Sequence, residues 1–551
     1  MTKATMRTRP GGRNPKLLLS LAAALLAVVV QSGELGSADT MHRLQTAHSF
    51  WTSEPAVFPN EYPEFGVHGR GGKLYDWYGI GQPLLLLPFD MVGTYLEQLP
   101  IFDDYSGNDP SVRNIFVALS VNVLINVLTA LVCFRFLALL GFSVPHSIAG
   151  VLALLLGTTH LHYTQNMMEN NYICLLTLTG FCFQYEWLRT GARRALWVGS
   201  FALGWNLLTR LTTVVDLAGV GGFLTLVWWF EGRSLRAADR GDAPAVERSP
   251  ALGPHLEHPW KTYAKVALPV YAATLFLDRL YQFIRFGNWT TTYVHYFTLE
   301  HRLANPALPA TYPWETPFHV GFLGPLISRD KSIFLFDPLL VLTLLVVAFG
   351  WRTFSAPLKA YLATALAVVL AYICMYARYT VWSGDFAWGD RYVSTAVQLA
   401  AFISVPALLA YREHFKGILW PAGIGLMAIS LVIQLASVAF WLPLEIYQAD
   451  DFGHPQFAIW LRFKNIAAFA LGKMDAWGLN TDAMTYDRWD YEHITTWNFL
   501  PFVLGRIGAA PAWVVRTALG AWWAAVAGLL YTLVLLRPDR AGKAVEEKAS
   551  T

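Results

Sequence analysis

Apolar runs of about 20 residues recur along the chain, separated by short polar segments. A run of that length crosses a hydrocarbon core as a helix. The pattern predicts helices over 17–32, 113–141, 145–160, 170–188, 195–211, 212–231, 263–284, 333–350, 357–376, 392–411, 418–443 and 512–536. That makes about 12 spans. The stretch Pro83–Leu99 is interrupted by Pro88, Asp90 and Glu97, so it reads as an interfacial helix and not a span. In the polar segment before it, Thr40–Trp51 is amphipathic, with Met41, Leu44 and His48 at helical spacing.

The polar segments fall into two kinds. Arg189–Arg194, Arg233–Lys261, Arg352–Lys359, Arg412–Lys416 and Arg537–Lys543 are rich in Lys and Arg. With twelve spans they share a side with the N-terminus, and the positive-inside bias makes that side cytoplasmic. Lys3, Arg7, Arg9, Arg13 and Lys16 precede Leu17–Val30, which reads as a retained signal-anchor rather than a cleaved signal peptide. Both termini are then expected in the cytoplasm, with the chain in the inner or plasma membrane. The opposite, periplasmic or external, side receives Gly33–Val112, Phe286–Ser332, Arg378–Arg391 and Glu445–Pro511, with the shorter turn His160–Glu169. These segments are dense in aromatics, Gly and Pro. Connections longer than about 15 residues are usually functional or disordered, and the aromatic content argues against disorder. The stretch 232–262 is charged and poor in aromatics, as a cytoplasmic linker would be. The chain therefore divides into a transmembrane module over 1–443, which includes the external loop 33–112, and a second part over 444–551. That part holds the external segment 445–511, the last helix and a cytoplasmic tail.

Composition agrees with a chain that has little water-facing surface. Of 551 residues, 55% are hydrophobic and 14% charged, against about 25% charged in soluble domains. The 22 Trp and 24 Tyr suit interfacial belts. A net charge of +3 gives no sign of a nucleic-acid partner. The four cysteines, Cys133, Cys174, Cys182 and Cys374, lie within or at the ends of apolar runs and read as free packing thiols, not a disulfide framework. No internal repeat, P-loop or dinucleotide fingerprint is visible, so neither a repeat-built transporter nor ATP-driven transport is supported.

Candidate chemistry concentrates in the external segments. Asp39 follows the first span and either caps the next helix or lies just before its first turn. Glu34 is the nearest other acid. The turn Lys73–Pro83 brings Asp76 and Tyr78 into a helix entry. Arg329 and Lys331 stand at the mouth of one predicted span, and Arg391 stands at another, after Trp382, Asp385 and Trp388. Cations at external span ends run against the positive-inside bias, and binding a lipid-linked phosphate at the interface gives one reason for them. Snorkelling, or pairing with Asp330, Asp385 and Asp390, gives another. Glu169 and Arg210 lie near external helix ends, where ionisable groups are functional hypotheses by default. His160 and His162 form a His-x-His pair with no Cys or carboxylate pattern to reinforce it, so a divalent metal is possible but unsupported.

These residues occur in a familiar order: an Asp just after the first span, then Tyr75-x-x-Tyr78-Gly-Ile-Gly-Gln-Pro, Ser328-Arg-x-Lys-x-Ile-Phe and Trp382-x-x-Gly-Asp-x-x-Trp-Gly-x-Arg391-Tyr. The order resembles the polytopic glycosyltransferases of the GT-C class, of the mannosyltransferase and aminoarabinose-transferase type. That resemblance implies an all-α polytopic membrane fold with interfacial helices in its external loops, and a polyprenyl-phosphate-linked sugar as donor. It implies an inverting transfer on the external face, without a cofactor, to a lipid, glycan or protein hydroxyl. Asp39 matches the position of the family's catalytic base, with Glu34 as the other carboxylate. Arg391, with Arg329 or Lys331, would stabilise the leaving phosphate, and Tyr78, Asp76, Trp382, Asp385, Trp388, Glu169 and Arg210 would contact substrate. A transporter or flippase of a lipid-linked glycan, and a glycan polymerase or ligase, stand as the alternatives.

Overall fold

A computed structural model of the chain describes residues 14–59, 65–105, 107–239, 259–384, 387–441, 444–445, 458–473, 496–507 and 510–537. Its helices are α1 (Pro15–Val30), α2 (Ala38–Ser49), α3 (Gly81–Glu97), α4 (Val112–Leu139), α5 (Val144–Gly157), α6 (His160–Gln165), α7 (Asn170–Thr190), α8 (Arg193–Thr209), α9 (Val214–Asp239), α10 (Pro259–Phe286), α11 (Tyr293–Ala304), α12 (Phe318–Ile327), α13 (Ile333–Phe336), α14 (Leu339–Gly350), α15 (Ala356–Tyr376), α16 (Arg391–Ala401), α17 (Ser404–Ala410) and α18 (Leu419–Ser437). The helices Ala458–Ala470, Leu500–Ile507 and Ala512–Leu535 follow. Among the described residues one sheet occurs, an antiparallel pairing of Val67–His68 with Leu74–Tyr75 in the first loop.

Each of the twelve segments predicted as spans contains a helix among the described residues, but twelve spans are not reached by length and apolar content. Six stretches are long and apolar enough to cross a membrane: Val112–Leu139, Leu211–Glu231, Ala356–Tyr376, Arg391–Ala410, Leu419–Ser437 and Ala512–Leu535. The protein is a multi-pass, all-helical membrane protein. Two predicted helices are interrupted. The segment 333–350 breaks between α13 and α14, where Pro338 supplies no N–H. There the Asp337 carboxylate turns aside to accept from the Thr159 backbone N–H (2.7 Å) and hydroxyl (3.0 Å). The segment 392–411 breaks between α16 and α17.

Aromatic rings interlock at the centre of the bundle. Phe136 of α4 lies edge-on to Tyr361 of α15 at 5.0 Å, and Phe181 of α7 meets Phe223 of α9 at 5.6 Å. Helices α7 and α8 approach so closely that a Cβ on Gly180 would stand 2.6 Å from Leu203 Cγ, the small-residue packing common between membrane helices. Ala512–Leu535 contrasts with this centre: Leu530, Tyr531 and Val534 are more than half exposed, which suits a lipid-facing surface.

The first loop is held against the bundle by α2 and α3. Ser37, not Asp39, caps α2, its hydroxyl accepting from the Thr40 N–H at 3.3 Å. The buried face is Thr40, Arg43, Leu44 and Ala47, while Met41 is 49% exposed. Of the predicted face, Leu44 and His48 are buried and Met41 is not; Arg43 takes an inward position because it finds charged partners there. Helix α3 is the predicted interfacial helix. Its Asp90 is fully buried and accepts from His48 Nδ1 (2.9 Å), Trp51 Nε1 (2.7 Å) and Arg113 Nε (2.5 Å). One carboxylate thus joins α2, α3 and α4. Replacing it by Ala leaves a buried imidazole, an indole N–H and a guanidinium without their shared acceptor. We expect Asp90→Ala to cost about 3–5 kcal/mol, seen as a lowered unfolding midpoint in detergent, with the exposed Asp103→Ala close to wild type.

Candidate active site

The site is built where four helix ends meet. After α1 the chain turns through Gly36, whose φ is +77° and whose Cβ would stand 2.5 Å from the Asn166 backbone, and enters α2. Asp39 therefore sits in the first turn of α2, where unpaired backbone N–H groups favour a carboxylate. Arg391 opens α16, whose cap is Asp390, accepting from the Tyr392 N–H at 3.0 Å. Asn170, the first residue of α7, fastens this turn by donating to the Arg391 carbonyl (2.7 Å) and the Ser394 hydroxyl (2.8 Å). The two ends meet in an ion pair, Arg391 Nη1 to Asp39 Oδ2 at 2.6 Å, with side chains 15% and 20% exposed. The pair is desolvated enough to be strong and open enough for a ligand to reach.

Around it the charges alternate. Arg43, four residues beyond Asp39 on the same helix, pairs with Glu169 at 2.5 Å. Glu169 also accepts from Arg210 at the end of α8. The Arg43 guanidinium lies 3.8 Å from the centre of the Tyr78 ring, and the Tyr392 ring lies beneath both Arg210 (5.3 Å) and Arg391 (5.4 Å). Three guanidinium groups thus face two carboxylates. Arg43 Nη1 and Arg391 Nε are buried with no hydrogen-bond partner among the described residues. Buried donors left without acceptors are costly, and together with the excess positive charge they suit an anion. Behind this cluster Asp76 accepts from Thr46 of α2 (2.6 Å) and pairs with the buried Arg285 at the end of α10 (3.0 Å), bracing α2 from the far side.

Protonation follows from this arrangement. Burial alone would raise the Asp39 carboxyl, but Arg391 and then Arg43 outweigh it and hold the group at about 2. Burial, and then Asp39, push the Tyr78 phenol well above its ordinary value. Burial lowers Arg43 against the pull of its anionic neighbours, and burial lowers His42, one turn from Asp39, to about 4. Asp390 is raised by burial to about 7 against the nearby Lys331 ammonium.

The structure thus brings together Asp39, Arg391, Tyr78, Glu169 and Arg210, with Asp76 next to them. Other predicted residues stand apart. Glu34 pairs with Arg506 of the helix Leu500–Ile507 at 3.1 Å, separate from the Asp39 network. Arg329 is 63% exposed beside Asp330. Lys331 donates to the carbonyls of Ala387 (2.9 Å) and Gly389 (3.2 Å), so its charge fixes the loop before Arg391. Trp388 is buried, stacked with His162 and edge-on to Phe336, which leaves no open face for a sugar. Trp382 packs over Gly324 of α12. Asp385 lies outside the described residues. His160 is buried, its Nε2 3.2 Å from Asn126 Oδ1, and among the described residues no group of three or more metal-ligating side chains gathers. Sequence reasoning missed Arg43 and Arg285. Arg43 had a signal, its i+4 spacing from Asp39; Arg285 at the end of a long apolar run had none beyond its charge.

No protein-family model matches the chain, and no curated protein does. Among solved structures, ArnT from Cupriavidus metallidurans, crystallised with undecaprenyl phosphate, aligns over 94% of this chain and 76% of its own at 14% identity, with a TM-score of 0.40. At that level of likeness no residue role or activity transfers.

Glu34 supplies a test of the second carboxylate. Burial raises it from 4.5 to about 7, against Arg506. A carboxyl raised on folding favours the native state below its unfolded value and loses that advantage as pH rises to the folded one. Compared with Glu34→Gln, the wild type is therefore expected to lose stability steadily between pH 4.5 and 7, with the difference constant above. Unfolding midpoints of both proteins across that range check the slope, and parallel curves would show that Glu34 does not titrate there.

Proposed function

We propose that the protein is an inverting membrane glycosyltransferase that moves a sugar from a polyprenyl-phosphate donor to an acceptor hydroxyl. The observation that carries this reading is the partly exposed Asp39–Arg391 pair flanked by Arg210 and by Arg43, whose Nη1 has no hydrogen-bond partner among the described residues. A single displacement needs a base beside the incoming hydroxyl and a cation beside the departing phosphate. This site offers both within one contact. The positive-inside bias of the loops puts the reaction on the periplasmic or external face.

In this scheme the acceptor oxygen attacks the anomeric carbon and gives its proton to Asp39. The bond from that carbon to the phosphate oxygen breaks, and the polyprenyl phosphate departs with the bonding electrons. Arg391, whose Nε has no partner among the described residues, takes the developing charge, and Arg43 adds to the field. Donor binding also switches the base on. Paired with Arg391, the Asp39 carboxylate is held near 2 and is a poor base. A phosphate that draws the guanidinium towards itself removes the main cation on Asp39, and burial then raises its proton affinity. Glu169 and Arg210 fix Arg43 while this exchange takes place. Glu34 lies in a separate pair, so Asp39 is the base of choice. Lys331 serves by holding the Arg391 loop.

Deletion of the gene, followed by mass spectrometry of envelope lipids and glycans, is expected to show loss of one sugar from one species. Complementation with Asp39→Asn should restore no more than about 1% of the product, since a positioned base contributes about 10²–10⁴-fold, while the sugar-loaded donor accumulates. Full restoration by Asp39→Asn would remove Asp39 from the role of base. Arg391→Ala is expected to fail equally.

A further inference from the structure

Arg462, on the helix Ala458–Ala470, is fully buried. Its guanidinium enters the end of α18 and donates to the carbonyls of Ser437 (2.9 Å) and Phe440 (3.0 Å). It also grips Glu445 through two bonds of 2.5 and 2.6 Å. Glu445 in turn accepts from Asn465 at 3.2 Å. Helix C-termini leave carbonyls unpaired and favour cations, so this much is capping.

Capping does not account for the other face of the guanidinium, which lies 5.3 Å from the centre of the Trp388 ring. Trp388 precedes Arg391 by three residues, in a turn held by further contacts among the described residues. Lys331 holds the carbonyls of Ala387 and Gly389, and the Tyr163 hydroxyl donates to the Trp388 carbonyl at 3.3 Å. Phe336 stands edge-on to the indole at 5.1 Å, and His162 stacks on it at 5.8 Å. Gly389 turns with φ of +72°, with Phe336 3.1 Å from where a Cβ would be. The indole is the pin of the loop, and Arg462 covers the pin.

We infer that Arg462 is a positioning residue that sets Arg391 through Trp388, coupling the segment after α18 to the anion site. The inference rests on Arg391 as the donor-phosphate contact. Cation–π contact with a desolvated guanidinium adds to shape in fixing an indole, and a displacement of about 1 Å at a binding group has large effects on its ligand. Arg462 touches neither Asp39 nor Arg391, so its loss is expected in donor affinity and not in the Asp39-dependent step.

The test is calorimetric titration of the full-length protein in detergent with farnesyl phosphate, a short polyprenyl phosphate. Arg462 is replaced together with its partner, as R462M/E445M, because a lone buried carboxylate would itself destabilise the fold. The expected result is an affinity about tenfold weaker, that is about 1.4 kcal/mol, with Trp388→Leu equally weak, Trp388→Phe near wild type and Arg391→Ala without measurable binding. Wild-type affinity in both R462M/E445M and Trp388→Leu, while Arg391→Ala loses binding, overturns the inference and leaves the functional reading standing. Wild-type binding by Arg391→Ala overturns the functional reading and the inference with it. Should R462M/E445M fail to fold, Trp388→Leu against Trp388→Phe decides alone: a purely structural indole would change the unfolding midpoint of the two without changing affinity per folded molecule.

Discussion

A carboxylate and a guanidinium 352 residues apart in the chain meet at 2.6 Å between Asp39 and Arg391, and much of the architecture holds that contact. Neither charge is stable at its depth alone. Burial would protonate the carboxyl and strain the cation, and their mutual attraction offsets both costs. For the proposed transfer the contact also has to be reversible, because a carboxylate locked at about 2 accepts no proton from an alcohol. The partial exposure of both side chains and the unfilled donor on Arg391 make an incoming phosphate a competitor for the same guanidinium.

Holding such a pair requires a rigid frame. The helix bundle provides it through short connections whose conformations are dictated locally. Ser37 and Asp390 cap the two helices that bear the ion pair, Asn170 fastens one of them to α7, and Asp90 and Asp76 fix the loop helices. Asp90 and Asp76 are buried carboxylates shared by several donors, strong where all partners are present and costly where one is missing. The same logic extends through Lys331 and Trp388 to Arg462, so that the loop before Arg391 is restrained from both sides.

The helices were legible in the sequence because a span announces itself through length and apolar content, and six of the twelve predicted segments are long and apolar enough to cross a membrane. Asp39 and Arg391 were legible for a related reason: a charge at the edge of an apolar run stands out. Partnerships were less so. Met41 was placed inside and Arg43 overlooked because an apolar count takes no account of buried carboxylates such as Glu169. Trp388 was read as a sugar platform because an aromatic in a loop has the same appearance whether it packs or binds; only the rings of Phe336 and His162 around it decide. Lys331 was read as a phosphate ligand because sequence does not disclose the carbonyls of Ala387 and Gly389, more than fifty residues away. Arg285 and Arg462 depend wholly on such long-range partners.

In the proposed mechanism Arg391 exchanges Asp39 for the donor's phosphate. The most direct measurement is an experimental structure of the protein with a polyprenyl phosphate bound in a lipid nanodisc. The account predicts the phosphate within about 3 Å of the Arg391 guanidinium, with Asp39 drawn out of the ion pair and facing the position of the anomeric carbon. A phosphate bound elsewhere, with the Asp39–Arg391 pair intact, would contradict it.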